Sequence, residues 1–278
     1  MTSSAVIPAQ AADRRDRARQ VAVLVGSLLA VAGALLGSGA LGGTPIAEAA
    51  GGALSADATH LAPGSPAFSI WSVIYTGLVA GAVWQVLPAQ RRDPRQRRIG
   101  WWVLASMVLN AVWIGVVQAG ALALSVVVIV VLLGTLAVVL VRMGERAPSG
   151  WVERLVVDGT LGLYLGWVSV ATAANIAAAL ASAGFTDPPG GADVWAVLVL
   201  AVVALLGLAV ARYSGGRLGT APAMAWGLAW IAVARLTGEP SSPTTAVAAA
   251  SAATVVFVAA AAFRSRRPHD GKQQTVAR

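Results

Sequence analysis

The sequence predicts an all-α fold, a polytopic transmembrane helical bundle of about eight spans. Three observations carry that expectation. The 278 residues are 57% apolar and only 12% charged, where an average soluble domain carries roughly 25% charge, so a soluble chain of this length has no interior large enough for the apolar surface. Apolar runs close to the roughly 20 residues that cross a hydrocarbon core recur along the whole chain. Basic residues gather in every second loop, the asymmetry that sets membrane topology.

The runs read as spans over residues 21–41, 67–87, 100–118, 121–141, 155–182, 193–212, 221–236 and 245–263. Arg14, Arg15, Arg17 and Arg19 precede the first, and Ala47-Glu48-Ala49 follows it, which imitates a secretory signal. The run exceeds the roughly 7–15 residues of such a segment and is read as an uncleaved first span. Ala119-Gly120 breaks the third span from the fourth. The seventh is the weakest, being short and holding Pro222 and Gly227.

Topology follows from Lys and Arg. Four lie in the tail 1–20, five in loop 91–98, three in 142–154, two in 212–217 and five in 264–278, leaving only Arg235. The alternate loops carry Glu48, Asp57, Asp187, Asp193 and Glu239 instead. Both termini are therefore expected on the cytoplasmic side of a cell membrane, with basic tails at 1–20 and 264–278 and the lipid bilayer as partner. The net charge of +8 sits in short loops between apolar runs, so no nucleic-acid partner is expected.

Composition also narrows the chemistry. There is no Cys, and the two histidines, His60 and His269, lie in a loop and a tail, which disfavours disulfides, thiolate metal sites and internal haem ligation. No paired carboxylates at membrane depth, no Ser-His-Asp set, no phosphate loop and no metal spacing appear, so no enzyme and no metal are expected.

Three spans hold most of the polar and aromatic residues. Trp71 and Tyr75 are four apart on the second, Asn110 and Trp113 three apart on the third, and Tyr164, Trp167 and Asn175 three and eight apart on the fifth. These intervals stack side chains on one stripe of a helix. The stripes lie at similar depth in the outer half of the bilayer, beneath loop 42–66. An unpaired amide in hydrocarbon is costly, so Asn110 and Asn175 point inward. Two readings stay open: a pocket walled by flat rings, suited to a flat apolar molecule, or interhelical hydrogen bonding alone. Loop 42–66 reads as a lid or as a connector.

These residues resemble the TspO/MBR family of tryptophan-rich sensory proteins. That family has five helices, with Trp then Tyr four residues on, as at Trp71 and Tyr75; Leu-Asn-x-x-Trp, as at Leu109, Asn110 and Trp113; and Tyr-x-x-Trp followed by Ala-Thr-x-x-Asn, as at Tyr164, Trp167, Ala171, Thr172 and Asn175. The resemblance covers roughly residues 20–182, a five-helix domain at 21–183, with 184–263 as three additional transmembrane helices. It implies binding of a porphyrin, haem or another flat hydrophobic ligand at Trp71, Tyr75, Asn110, Trp113, Tyr164, Trp167 and Asn175, with sensing or transport as the outcome, no certain cofactor, and a homodimer. Two features depart from the family. Loop 42–66 has no Trp, Tyr or Phe, residues the family links to tetrapyrrole binding and breakdown, and Leu163 stands where Pro commonly precedes the fifth-helix Tyr.

Rival classes are a secondary transporter of a small polar or ionic solute and a ligand-free scaffold. A transporter is expected to show internal repeats and membrane-embedded charge; only Asp158 and Arg235 are candidates for the latter. Asp158 reads as a carboxylate at a helix N-terminus, or as a proton-coupling group. Arg235 reads as a side chain snorkelling to the outer surface, or as the partner of an anion at the pocket mouth. Gly33 and Gly37 mark close packing within the chain or a dimer face. Val210, Tyr213 and Arg217 fit a proposed sterol pattern, and Tyr213 equally fits an interface anchor. Gln118 is expected to pair with backbone at the outer turn.

Overall fold

The computed structural model describes residues 6–37, 44–186, 188–216 and 219–266. Among them there is no strand. The long helices are α1 (Val6–Gly37), α2 (Ile70–Val86), α3 (Pro94–Gln118), α4 (Leu122–Gly144), α5 (Thr160–Ser182), α6 (Ala192–Ser214), α7 (Thr220–Thr237) and α8 (Pro243–Ser265). A 3-10 turn, Ser65–Ser69, leads into α2, and a helical turn, Trp151–Glu153, with a π-helical turn, Arg154–Gly159, leads into α5.

Seven of these helices are long and apolar enough to cross a membrane. The exception is α7, the span marked weakest by its sequence. Its 18 residues reach about 27 Å at 1.5 Å per residue. Lipid does not dictate its composition, because α7 packs against both α5 and α8.

Local chemistry fixes several helix starts. Asp93 accepts from the backbone N–H groups of Arg95 and Gln96, with Pro94 in the first turn of α3. Ser242 accepts from the Thr245 N–H ahead of Pro243 in α8. Both are N-caps, with the proline where its missing N–H costs nothing.

Two expected boundaries move. The stretch expected as a tail, 1–20, is helical from Val6, continuous with the first span. The reason is packing: Asp16 is buried and accepts from Arg97 Nε at 2.9 Å, while buried Arg19 donates to the Arg91 carbonyl at 2.8 Å. Gln20 and Gln85 exchange side-chain-to-backbone hydrogen bonds, at 2.6 and 2.9 Å. Likewise Arg95, Arg97 and Arg98, expected in a loop, stand in the first turns of α3.

Asp158 is not at a helix N-terminus. The helix starts at Trp151, and Asp158 sits in the π turn, where it accepts from Arg95 at 2.6 Å. The same guanidinium donates to Glu153 at 2.8 Å, and Gln96 donates to Glu153 at 3.0 Å. Arg95 and Glu153 are buried, so the charges compensate one another instead of facing hydrocarbon.

The apolar interior has two parts. One joins α1 to α5, the other joins α6 to α8, and α5 belongs to both: Trp167 and Val168 face the first, Val170 the second. Contact between the two layers is close because glycines line it. A Cβ at Gly166 would collide with the Thr220 carbonyl, and one at Gly227 would stand 3.0 Å from Val170 Cγ1. In α1, Gly37 packs on Ile114, but a Cβ at Gly33 meets nothing within 4 Å.

Gly166→Val therefore pushes α5 from α7, and overpacking of this kind costs about 1–3 kcal/mol. The expected outcome in a detergent melting experiment is a clear fall in unfolding temperature, while Gly33→Ala leaves it unchanged or slightly higher.

Candidate functional site

Every helix of a membrane protein must satisfy its polar side chains internally, because hydrocarbon offers no partner. The three stripes of α2, α3 and α5 do this against each other. Asn110 donates from Nδ2 to the Tyr75 hydroxyl at 2.7 Å. Trp113 donates from Nε1 to Asn175 Oδ1 at 2.8 Å, and Asn175 Nδ2 donates to Ser125 Oγ on α4 at 2.9 Å. The Tyr164 hydroxyl donates to the Ser106 carbonyl at 3.1 Å.

The rings converge as well. Trp71 stacks on Tyr75 with centroids 5.2 Å apart, and meets Tyr164 and Trp167 edge-on at 5.7 and 6.3 Å. Phe68 meets Trp167 edge-on at 5.7 Å. Such offset and edge contacts are the favoured geometries of aromatic pairs. Trp71 is the hub of one set, joined by these contacts to Tyr75, Asn110, Tyr164 and Trp167, while Trp113 and Asn175 form a second set with Ser125.

Two cavities adjoin this network. A cleft of about 660 Å³ lies between α1, α2 and α3, lined by Val31, Ala34, Phe68, Trp71, Tyr75 and Trp113 among others. A chamber of about 40 Å³ lies deeper, between α3, α4 and α5, lined by Trp71, Asn110, Trp113, Trp167 and Asn175. Phe68, Trp71 and Trp113 line both and form the partition. Tyr164 lines neither; it is buried behind Trp71 as support. Within the chamber wall, Asn110 Oδ1 and Trp167 Nε1 are buried and have no hydrogen-bond partner among the described residues.

The described part of loop 42–66 closes over the chamber. Leu54, Thr59, Ala62 and Pro63 line it, and residues 61–64 are buried. The loop is pinned from the second layer. Trp226 Nε1 donates to the Ala67 carbonyl at 2.9 Å, and the Gly64 N–H donates to the Trp230 carbonyl at 3.2 Å. His60 Nε2 approaches Asp193 Oδ1 at 3.4 Å. Gln118 pairs with backbone as expected, but with the Thr44 carbonyl at 2.6 Å, across from the turn.

Arg235 departs from both of its expected roles. It is 0% exposed, so it does not snorkel, and it faces main chain instead of an anion. Its guanidinium donates to the carbonyls of Ala56 and Pro240, tying loop 42–66 to the α7–α8 connection. Asp57 adds to the field there; its carboxyl is held below the usual range, first by the Ser55 hydroxyl and more weakly by Arg235.

Sequence spacing missed three contributors. Phe68 lies three residues before Trp71 on the same stripe and was legible. Ser125 and Thr59 were not, since neither stands in a pattern that marks it. Of the sterol pattern, Arg217 lies outside the described residues, and Tyr213 is exposed.

The family model described as TSPO-like protein matches residues 22–262, from α1 into α8. No curated protein and no solved structure matches the chain.

If Arg235 pins the loop, Arg235→Ala releases it. Hydrogen–deuterium exchange at the amides of residues 53–63 is expected to accelerate by about tenfold, the equivalent of one or two lost hydrogen bonds, with Arg235→Lys in between.

Proposed function

The chain belongs to the TSPO-like protein family, and from that premise we propose that it binds a flat hydrophobic ligand, such as a porphyrin or haem, in the cleft between α1, α2 and α3. The observation that carries this reading is the stacked pair Trp71 and Tyr75, with Trp113, along one wall of a 660 Å³ cleft. That volume falls within the roughly 300–1,000 Å³ of small-molecule pockets, which are mostly apolar and carry a few placed polar groups. Indole and phenol faces supply flat apolar contact at low entropic cost. Asn110 and Asn175 orient the rings through Tyr75 and Trp113. Trp167, edge-on to Trp71, holds the partition from behind.

The reading involves no catalytic step. Its outcome is sensing or transport of the bound molecule, in a homodimer as the family resemblance implies. The cleft lies between α1, α2 and α3, and α6 and α7 hold the loop that closes over the adjoining chamber. A porphyrin enters with its ring plane against the indole of Trp71, on the cleft wall.

In a cell membrane the alternation of basic loops puts both termini on the cytoplasmic side, with loop 42–66 outside. A secondary transporter is the rival. The charges it needs would come from Arg95, Glu153 and Asp158, which compensate one another at the opposite end and line neither cavity. A ligand-free scaffold is the weaker alternative, since it leaves the cleft without a purpose.

Two measurements test this. Quenching of intrinsic tryptophan fluorescence by protoporphyrin in detergent is expected to weaken by about tenfold or more in Trp71→Ala and in Trp167→Ala, as for loss of an aromatic contact at the centre of a site; Tyr164→Phe stays within about twofold. If both tryptophan variants bind like wild type, the cleft is not the site. For topology, the chain has no native Cys, so single cysteines report cleanly. A membrane-impermeant maleimide is expected to label Ser241→Cys on intact cells, and Ala147→Cys only after permeabilisation.

A further inference from the structure

Three buried polar atoms on residues around the chamber have no hydrogen-bond partner among the described residues: Thr59 Oγ1 from the loop, Asn110 Oδ1 from α3 and Trp167 Nε1 from α5. All three residues line the same cavity of about 40 Å³. Asn110 is 2% and Trp167 1% exposed. Orphaned groups at such depth are unusual in folded proteins and each costs free energy. Three of them on one small cavity point to something that belongs there. The remainder of the lining is apolar except for Asn175, whose carboxamide is already engaged by Trp113 and Ser125, and includes no ionisable side chain.

We infer that this chamber is a polar subsite, taking a neutral oxygen-bearing end group, a hydroxyl above all, from the ligand whose flat body lies in the cleft. The inference rests on the cleft reading and names the class of ligand it takes. The donor and acceptor pattern makes the choice. Trp167 Nε1 only donates and Asn110 Oδ1 only accepts, while the Thr59 hydroxyl does either. A hydroxyl accepts from the indole and donates to the amide. An apolar end leaves all three unmet. A carboxylate cannot donate to Asn110, and it finds no cation in an apolar chamber where burying charge is costly. The volume exceeds the roughly 10–15 Å³ that one water needs, and suits an end group and nothing larger. Phe68, Trp71 and Trp113, shared by both cavities, are the partition whose side chains move aside for such a group.

The test compares three probes of one shape: naphthalene, 2-naphthol and 2-naphthoate. Their affinities for the full chain in lipid nanodiscs are measured by equilibrium dialysis at neutral pH, with protein-free nanodiscs subtracted. 2-Naphthol is expected to bind about tenfold more tightly than either of the others, the worth of one or two well-made hydrogen bonds. Thr59→Val is expected to reduce that preference to about twofold and to leave naphthalene unchanged, whereas Trp167→Phe reduces the preference and also weakens naphthalene, because Trp167 braces the partition. Thr59→Val preserves shape in a loop, so it stays informative should Trp167→Phe fold poorly. Equal binding of 2-naphthol and naphthalene to the wild-type chain, the result of a chamber holding only water, overturns this inference and spares the cleft. Binding of none of the three overturns both.

Discussion

Hydrocarbon has no hydrogen bonds to offer, and that constraint organises the centre of this protein. An indole N–H, a carboxamide or a phenol carried on a helix in lipid has to find its partner on another helix. Around α5 the partners are found in pairs: Trp113 with Asn175, Asn175 with Ser125, Asn110 with Tyr75, Tyr164 with the Ser106 carbonyl. These bonds fix the rotation of α2, α3, α4 and α5 about their own axes. Once the rotations are fixed, the rings of Trp71, Tyr164 and Trp167 have to meet. Hydrogen bonding between helices and construction of an aromatic wall are thus not alternatives here. The first produces the second.

Charge obeys the same constraint at the two ends. At the end bearing Arg95, one guanidinium serves two carboxylates, and Gln96 and Ser149 complete Glu153. That cluster closes α3 against the start of the fifth span and accounts for the π turn, which brings Asp158 within reach of Arg95. At the loop end the solution differs. Arg235 is buried among main-chain carbonyls, and a cation in that position works as a staple between two loops.

The matched family region runs from residue 22 to 262 and so takes in the second layer. Helices α6, α7 and α8 contribute nothing to the cleft wall, but α7 holds the loop. Helix α7 contributes Trp226, Trp230 and Arg235, each bonded to or packed on the segment between α1 and α2. A loop without aromatic residues of its own is held in place by aromatic residues and an arginine from elsewhere in the chain.

The sequence by itself determined the all-helical class, the recurrence of spans and the identity of the three polar stripes, because spacing on a helix and the price of polarity in lipid are local matters. Trp71, Asn110 and Asn175 were legible for that reason. The start of α1 at Val6, the place of Arg95 inside α3 and the burial of Arg235 were decided by tertiary structure. In each case a polar side chain that reads as solvent-facing finds its partner many residues away, as Arg19 does at Arg91 and Arg235 at Ala56. The division of one aromatic cluster into a cleft and a chamber was equally beyond the sequence, since it depends on how far apart the helices stand, and around the cleft that distance is set by contacts such as Gly37 on Ile114.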